Sequence, residues 1–388
     1  MHFEVPESTV AFEQEVNALF SDPETRRLLH TVRSRADHMD GDVRDLYRYL
    51  GRAGVLAPSW PGRYGGRDAD FTATVVLLEQ MVSHGIPQSL YYISVQIVGS
   101  LILQAGTEEQ KRSLLPRLAS GDLAACILFT EPEHGSDLAS VTTHATPAAD
   151  GSGWVIEGRK TYNLKSAYAD VALCAVRTDG GNSRYEGITL FLVPLDTPGV
   201  SVRPLPSLAD EQFHDIRFSQ VRVGKDAVFG SVGAGWSLIT RMFAAERNGL
   251  DYYVRGRYWL ELAADRLVAD GQQPTGSELA GLARHQARLD ASRLLTCRAL
   301  QSLHEGQSDI AQASLAKWHC SETAQGIAWW AFETLGLDLL EPEPGTDDLV
   351  LEGAYREAPG MTISGGASEV LLDIVAGARL LDDTRTEG

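Results

Sequence analysis

Between Gly121 and about Gly230 the chain changes period. WVIEGRKTYNL, DVALCAVRT, ITLFLVPL, VSVRPLP and DIRFSQVRV are short runs rich in Val, Ile, Thr and aromatics, separated by Gly, Asp, Asn and Pro, as antiparallel strands require. Helical spacing fills both flanks. STVAFEQEVNALF opens with Ser8 and Thr9 as cap candidates, and FTATVVLLEQMVSHG and LYYISVQIVGSLILQAG are long enough for buried helices after the Pro/Gly loop APSWPGRYGGRDAD. From Ala234 helical spacing returns, broken at DGQQPTGSE, HEGQSD and EPEPGTDD. The expected fold is α+β and multidomain: an N-terminal helical domain over 1–123, a small antiparallel β domain over 124–230 and a C-terminal, four-helix-bundle-like domain over 231–388.

That order excludes several classes. A β module of ~100 residues between two helical blocks is not a doubly wound sheet, and no strand leads into G-x-G-x-x-G. GSVGAGWS lacks the GK[ST] of a phosphate loop and reads as a turn into a helix. G-x-S-x-G and H-E-x-x-H are absent, which argues against serine and zinc hydrolases of those types.

The chain has 388 residues, 44% of them hydrophobic, enough for two or three cores. With 34 Lys+Arg against 52 Asp+Glu its net charge is −18, and no basic run appears, so neither nucleic acid nor an anionic membrane surface is an expected partner. Cys126, Cys174, Cys297 and Cys320 are scattered without metal-site spacing, as expected of four buried, reduced thiols. The N-terminus MHFEVPESTVAFEQEV is acidic where a leader would be basic and then apolar, and no apolar segment reaches ~18 residues, so the expected location is cytoplasmic.

Five stretches together carry a resemblance: GVLAPSWPGRYGG, GTEEQKRSLLPRLASGDLAACILFTEPEHGSD, EGRKTYN, FHDIRFSQVRVGKDAVFGSVGAGW and the terminal GGASEVLLDIVAGARLL. In this order, from about residue 40 onward, the chain resembles the acyl-CoA dehydrogenases. The resemblance implies FAD between the β domain and the C-terminal helices, a tetrameric (or dimeric) assembly, α,β-dehydrogenation of an acyl-CoA or acyl-carrier-protein thioester, and reoxidation by an electron-transfer flavoprotein. An acidic carrier would need a local basic pocket against the −18 field.

The reaction sets its own requirements. A thioester α-proton is too weakly acidic to leave unaided, so a carboxylate must meet it in a water-poor pocket, and fixed donors must hold the enolate-like oxygen. Many members place that carboxylate in a terminal loop Y-E-G-T; here the position falls in MTISGGASEV on Gly365. Another subset carries it on a C-terminal-domain helix just before an arginine, which in MFAAERNGLDYY is Glu246, followed by Arg247. Met242, Ala245, Gly249 and Tyr253 mark one helical face, and Glu246 lies beside it. Glu246 is therefore the expected base, with an exposed Glu loosely paired with Arg241 as the alternative. Gly365 is either a close-approach glycine whose N–H is an enolate donor or a simple turn residue.

Cofactor and substrate positions follow from the same resemblance. Thr130 and Ser136 in FTEPEHGSD fall near the flavin ring and the thioester, Tyr162 replaces the usual Trp wall, and Leu164 falls where a hydroxyl often meets flavin N5. Gly366, Ala367 and Glu369 fall on the terminal cofactor-side segment, and Arg247 with Ser136 on the substrate side. A Pro/Gly turn leaving a strand would give FTEPEHGSD the same appearance.

Two departures stand out. QQPTG puts Gln272 and Thr275 where the family's R-x-x-F-G holds the FAD pyrophosphate, and ETLGL puts Glu333 and Leu337 where its Q-x-x-G-G lies. HQARLDASRLLTCRAL, ASLAKWHCSETAQ and GGASEV resemble a bacterial branch that works as heterotetramers sharing one FAD between two chains. A partner subunit with a shared or absent FAD site, and a repurposed flavin-dependent monooxygenase, stay open. His134 is expected to be a tolerated loop residue, and Trp329-Trp330 and Tyr252-Tyr253 to be core or interface.

Overall fold

A computed structural model describes residues 6–35, 41–179, 183–209, 211–271, 273–307, 309–336, 339 and 347–383. Its first block holds α1 (Glu7–Phe20), α2 (Pro23–Arg35), α3 (Arg44–Arg52), α4 (Phe71–Ser83), α5 (Ser89–Tyr91), a π-helical run Tyr92–Gly99, α6 (Ser100–Ala105) and α7 (Glu108–Ala119). Side-chain caps set the starts of α4 and α7. The Asp70 carboxylate accepts from Thr72 N–H at the start of α4, and Thr107 with Gln110 closes a capping box on α7. The expected Ser8/Thr9 cap is not formed. α1 starts behind Pro6, which makes no cap bond, and Thr9 is buried one turn in, its hydroxyl 2.8 Å from that of Thr72.

The central block is one eight-stranded sheet: β1 (Ala125–Leu128), β2 (His144–Pro147), β3 (Gly153–Leu164), β4 (Val171–Arg177), β5 (Ile188–Pro194), β6 (Val200–Leu205), β7 (Phe213–Gly224) and β8 (Val228–Phe229). Its order is β6-β7-β3-β2-β4-β5-β8, with β1 beside β4. The expectation of an antiparallel sheet needs correction, because β4 pairs in parallel with β1 over four residues and with β2 at His144. Parallel neighbours require a connection longer than a hairpin, and the chain from Phe129 to Asp170, which includes β2 and β3, joins β1 to β4. β4 is buried on both faces. Val171, Leu173 and Ala175 join the core shared with the helices, whereas Ala172, Cys174 and Val176 join a second core on the other face.

The last block contains α8 (Gly235–Glu246), α9 (Leu250–Leu267), α10 (Gly276–His304), α11 (Ile310–Leu335), α12 (Asp347–Met361) and α13 (Ser368–Asp383). The continuous helical face drawn through Met242, Ala245, Gly249 and Tyr253 is instead broken at Gly249, whose φ is +84°. A Cβ there would lie 2.7 Å from Cys320 Sγ and 3.0 Å from Ala316 O, so only glycine lets this corner rest on α11. Among the described residues no helix is long and apolar enough to cross a membrane.

Polar ties join the blocks. Buried Glu79 on α4 accepts from Tyr253 Oη on α9 (2.8 Å) and from Arg293 Nε on α10 (3.2 Å). Arg255 on α9 pairs with Glu357 on α12 (2.5 Å) and with Asp251 (3.8 Å), and Asp251 accepts from Gln88 at 3.1 Å. Ser89 hydrogen-bonds Glu211, which precedes β7. Cys126, Cys174 and Cys320 are buried as expected, but Cys297 is half-buried. Tyr253 is core, whereas Trp329 is 44% exposed and Trp330 packs at 5.3 Å against the His285 ring.

Candidate functional site

Glu246 is the last residue of α8, at the corner where the chain turns into α9. Asn248 builds that corner: its Oδ1 accepts from Leu250 N–H (2.8 Å) and its Nδ2 donates to Ala245 O (2.5 Å). Tyr92, from the π-helical run, donates its hydroxyl to Glu246 O at 3.2 Å. The backbone of Glu246 is thus held while its carboxylate has no hydrogen-bond or ion-pair partner among the described residues. Arg241 is exposed and does not pair with it. Burial pushes the Glu246 carboxyl above the ordinary range, against the opposing pull of Arg247 and Lys317. The residue as a whole is half-buried at this corner.

The turn between α12 and α13 forms the wall opposite. Gly365 and Gly366 have φ of +66° and +112°. A Cβ on Gly365 would sit 3.1 Å from Tyr252 Oη and 3.6 Å from Glu246 Oε1, and one on Gly366 would sit 3.1 Å from an Arg247 guanidinium nitrogen. Arg247 Nε donates to Gly365 O (2.9 Å), and its guanidinium lies 4.0 Å from the Phe243 ring centroid. The N–H groups of Gly365, Gly366 and Ala367 meet no acceptor among the described residues. A base with raised basicity therefore faces backbone donors, which is what proton abstraction beside a carbonyl needs.

Two participants were not found in the sequence. Lys317 on α11, with no exposed surface, donates to Met361 O (2.8 Å) and Gly366 O (2.9 Å), and burial pushes its amine down to about 8. Tyr252, expected in core or interface, is half-buried beside this turn, with its hydroxyl 3.3 Å from Ser364 O. Neither has a local signature. A lysine inside ASLAKWHC, on a helix of small residues, is the nearest thing to one.

The other expected positions are dispersed. Thr130 O accepts from Thr161 N–H (2.9 Å), beside the bulge of β3 at Tyr162, whose φ is +55°. Tyr162 is 62% exposed, backed by the edge of Phe213 at 6.1 Å, and half-buried Leu164 pairs in register with Phe213. The loop after β1 is tied down by buried Glu131, which accepts from Lys160 Nζ (2.9 Å), Thr142 N–H (2.7 Å) and Thr143 N–H (2.8 Å). Ser136 is exposed on that loop, and half-buried His134 bridges to Glu131 through backbone alone. Ala367 O accepts the first bond of α13 from Leu371 N–H, and Glu369 is exposed in its first turn. Thr275 caps α10 by accepting from Glu278 N–H, and Glu333 is exposed near the end of α11. Gln272 and Leu337 lie outside the described residues.

Three domain models match in succession: acyl-CoA dehydrogenase N-terminal domain (8–122), middle domain (126–221) and C-terminal domain (233–380). Acyl-CoA dehydrogenase FadE26 of Mycobacterium tuberculosis is 31% identical over 91% of both chains. A solved structure titled "Tcur3481-Tcur3483 steroid ACAD" superposes with a TM-score of 0.84 at 29% identity, covering 98% of this chain and 99% of that one. The ChsE4-ChsE5 complex of Mycobacterium tuberculosis gives 0.83 at 27% identity over 98% and 99%. Fold and matches define a flavin-dependent class of oxidoreductases acting on CH–CH bonds. The chain belongs to the acyl-CoA dehydrogenase family.

Proposed function

We propose that this chain dehydrogenates an acyl-CoA or acyl-carrier-protein thioester with Glu246 as the base. One observation carries the proposal: an unpartnered carboxylate, made more basic by burial, faces a backbone wall whose glycines leave room for a substrate. Glu246 takes the α-proton, and the Gly365 N–H receives the developing charge on the thioester oxygen. Arg247 holds Gly365 from behind, and with Ser136 it borders the thioester. FAD, when bound, supplies the two-electron acceptor for the β-hydride.

The residues present suit a flavin ring. Tyr162 offers an exposed aromatic face at the bulge of β3, where Thr130 O accepts from the neighbouring Thr161 N–H and Leu164 ends the strand. Gly366, Ala367 and Glu369 are the cofactor-side positions of the terminal turn. The proposal includes division at 1–123, 124–230 and 231–388, a cytoplasmic location, a homo- or hetero-tetramer and an electron-transfer flavoprotein as acceptor.

A second reading has its own support. Thr275 is spent on a helix cap and Glu333 presents an exposed carboxylate, so neither gives a diphosphate a charge-assisted contact. This favours a subunit that supplies the base while a partner supplies part of the FAD site. The deciding test is FAD content per chain, followed by anaerobic bleaching of the visible flavin bands with an acyl-CoA panel. Near-stoichiometric flavin that bleaches in wild type and not in Glu246→Gln supports the first reading; colourless protein that no FAD reconstitutes supports the second.

A further inference from the structure

We propose that Lys317 is a positioning residue for proton removal, fixing the Met361–Gly366 backbone against Glu246. The inference rests on the roles proposed above for Glu246 and Gly365. Met361 ends α12 and Gly366 lies just before α13, so the two bonds from Lys317 Nζ clamp both ends of the turn. Arg247 takes the carbonyl between them, that of Gly365, and Tyr252 Oη takes that of Ser364. Each peptide is planar and trans, so fixing the carbonyls of 364, 365 and 366 also fixes the N–H groups of Gly365, Gly366 and Ala367. These are the donors that meet no acceptor among the described residues.

The lysine reaches the site from behind. Its Nζ stands 5.1 Å from the Tyr252 ring centroid, and its Cε would be 3.8 Å from a Cβ on Gly365, the same point that lies 3.6 Å from Glu246 Oε1. Packing alone would be served by a methionine of similar length without the cost of burying an amine. What methionine lacks is two N–H bonds to give, which the amine keeps in either protonation state.

The test uses the flavin-loaded protein, its complex if a partner is needed, with Lys317→Met, Lys317→Arg and Glu246→Gln. Amide exchange of the 361–367 segment is measured without ligand. The affinities of octanoyl-CoA and of S-octyl-CoA, which lacks the carbonyl oxygen, are compared, and kcat and KM are measured separately. In Lys317→Met, segment exchange should rise about tenfold or more, the preference for thioester over thioether should fall toward one, and kcat should drop roughly 10- to 100-fold with KM changed less. Lys317→Arg should recover most of each.

Unchanged exchange and an unchanged affinity ratio in folded Lys317→Met overturn the proposal, as does a loss of thermal stability with that ratio intact. If Lys317→Met does not fold, Lys317→Leu takes its place, which also lacks N–H donors, and wild-type exchange and kcat there overturn it equally. Flavin bleaching that survives in Glu246→Gln would sink the assignment of the base, while segment exchange would still decide the clamp.

Discussion

Glu246 is costly to the fold, because burial disfavours its ionised form. A carboxyl raised above 4.5 in the folded state favours stability below that pH and loses the benefit as pH rises through the higher folded value. Glu246→Gln should therefore melt higher than wild type at neutral pH and lose that advantage near pH 4; equal melting at both would contradict the burial. The same titration sets activity. kcat/KM should fall on acidification at a pH above the ordinary carboxylate range, since only the ionised form is a base. Arg247 and Lys317 both oppose the shift, so Lys317→Met should move this limb to higher pH and Lys317→Arg should leave it in place. Gly366 gives a second residue-level test. With φ at +112° and its Cβ position against Arg247 and Leu371, Gly366→Ala should destabilise by roughly 1–3 kcal/mol in urea unfolding.

At the scale of elements, the loop after β1 depends on one ion pair. Lys160 and Glu131 are almost wholly buried, and against the opposing effect of burial the lysine and the two Thr142 hydrogen bonds hold the Glu131 carboxyl down to about 2. Its contribution is present above 4.5 and is lost as pH falls toward 2. Lys160→Met strands the buried carboxylate and should cost about 3–5 kcal/mol in urea unfolding, an effect that shrinks on acidification. The cap on α10 is a milder case. Thr275→Ala should cost about 1 kcal/mol and leave FAD content unchanged, whereas a fall in FAD would give Thr275 the cofactor role that its cap bond argues against. Runs rich in Val, Ile, Thr and aromatics between turn residues marked β3 through β7 in the sequence, because strand propensity and turn chemistry are local. β1, β2 and β8 carry too few residues for such a signal, and the parallel pairing of β1 with β4 depends on a partner more than forty residues away.

For the whole molecule, the open quantity is how many chains complete one flavin site. Flavin content and mass in solution, measured on the chain alone and beside any co-purified partner, separate the proposed assemblies. The helix–sheet–helix order was written in hydrophobic period and turn residues, which act over a few positions and need no tertiary information. Glu246 and the empty side chain of Gly365 were legible through resemblance, because both lie in recognisable segments. What the sequence could not give was the company they keep. Tyr92 meets Glu246 across 154 positions, Arg247 meets Gly365 across 118, and Lys317 reaches Met361 across 44. The helical spacing drawn through Gly249 missed the corner that brings the carboxylate near the Gly365 turn, since only the close approach of Ala316 and Cys320 shows why the helix stops there. The sequence by itself determined the order of the elements and the identity of the base candidate. The tertiary structure decided its basicity and the cations behind the facing turn, because desolvation and hydrogen bonds to backbone carbonyls exist only once distant segments pack together.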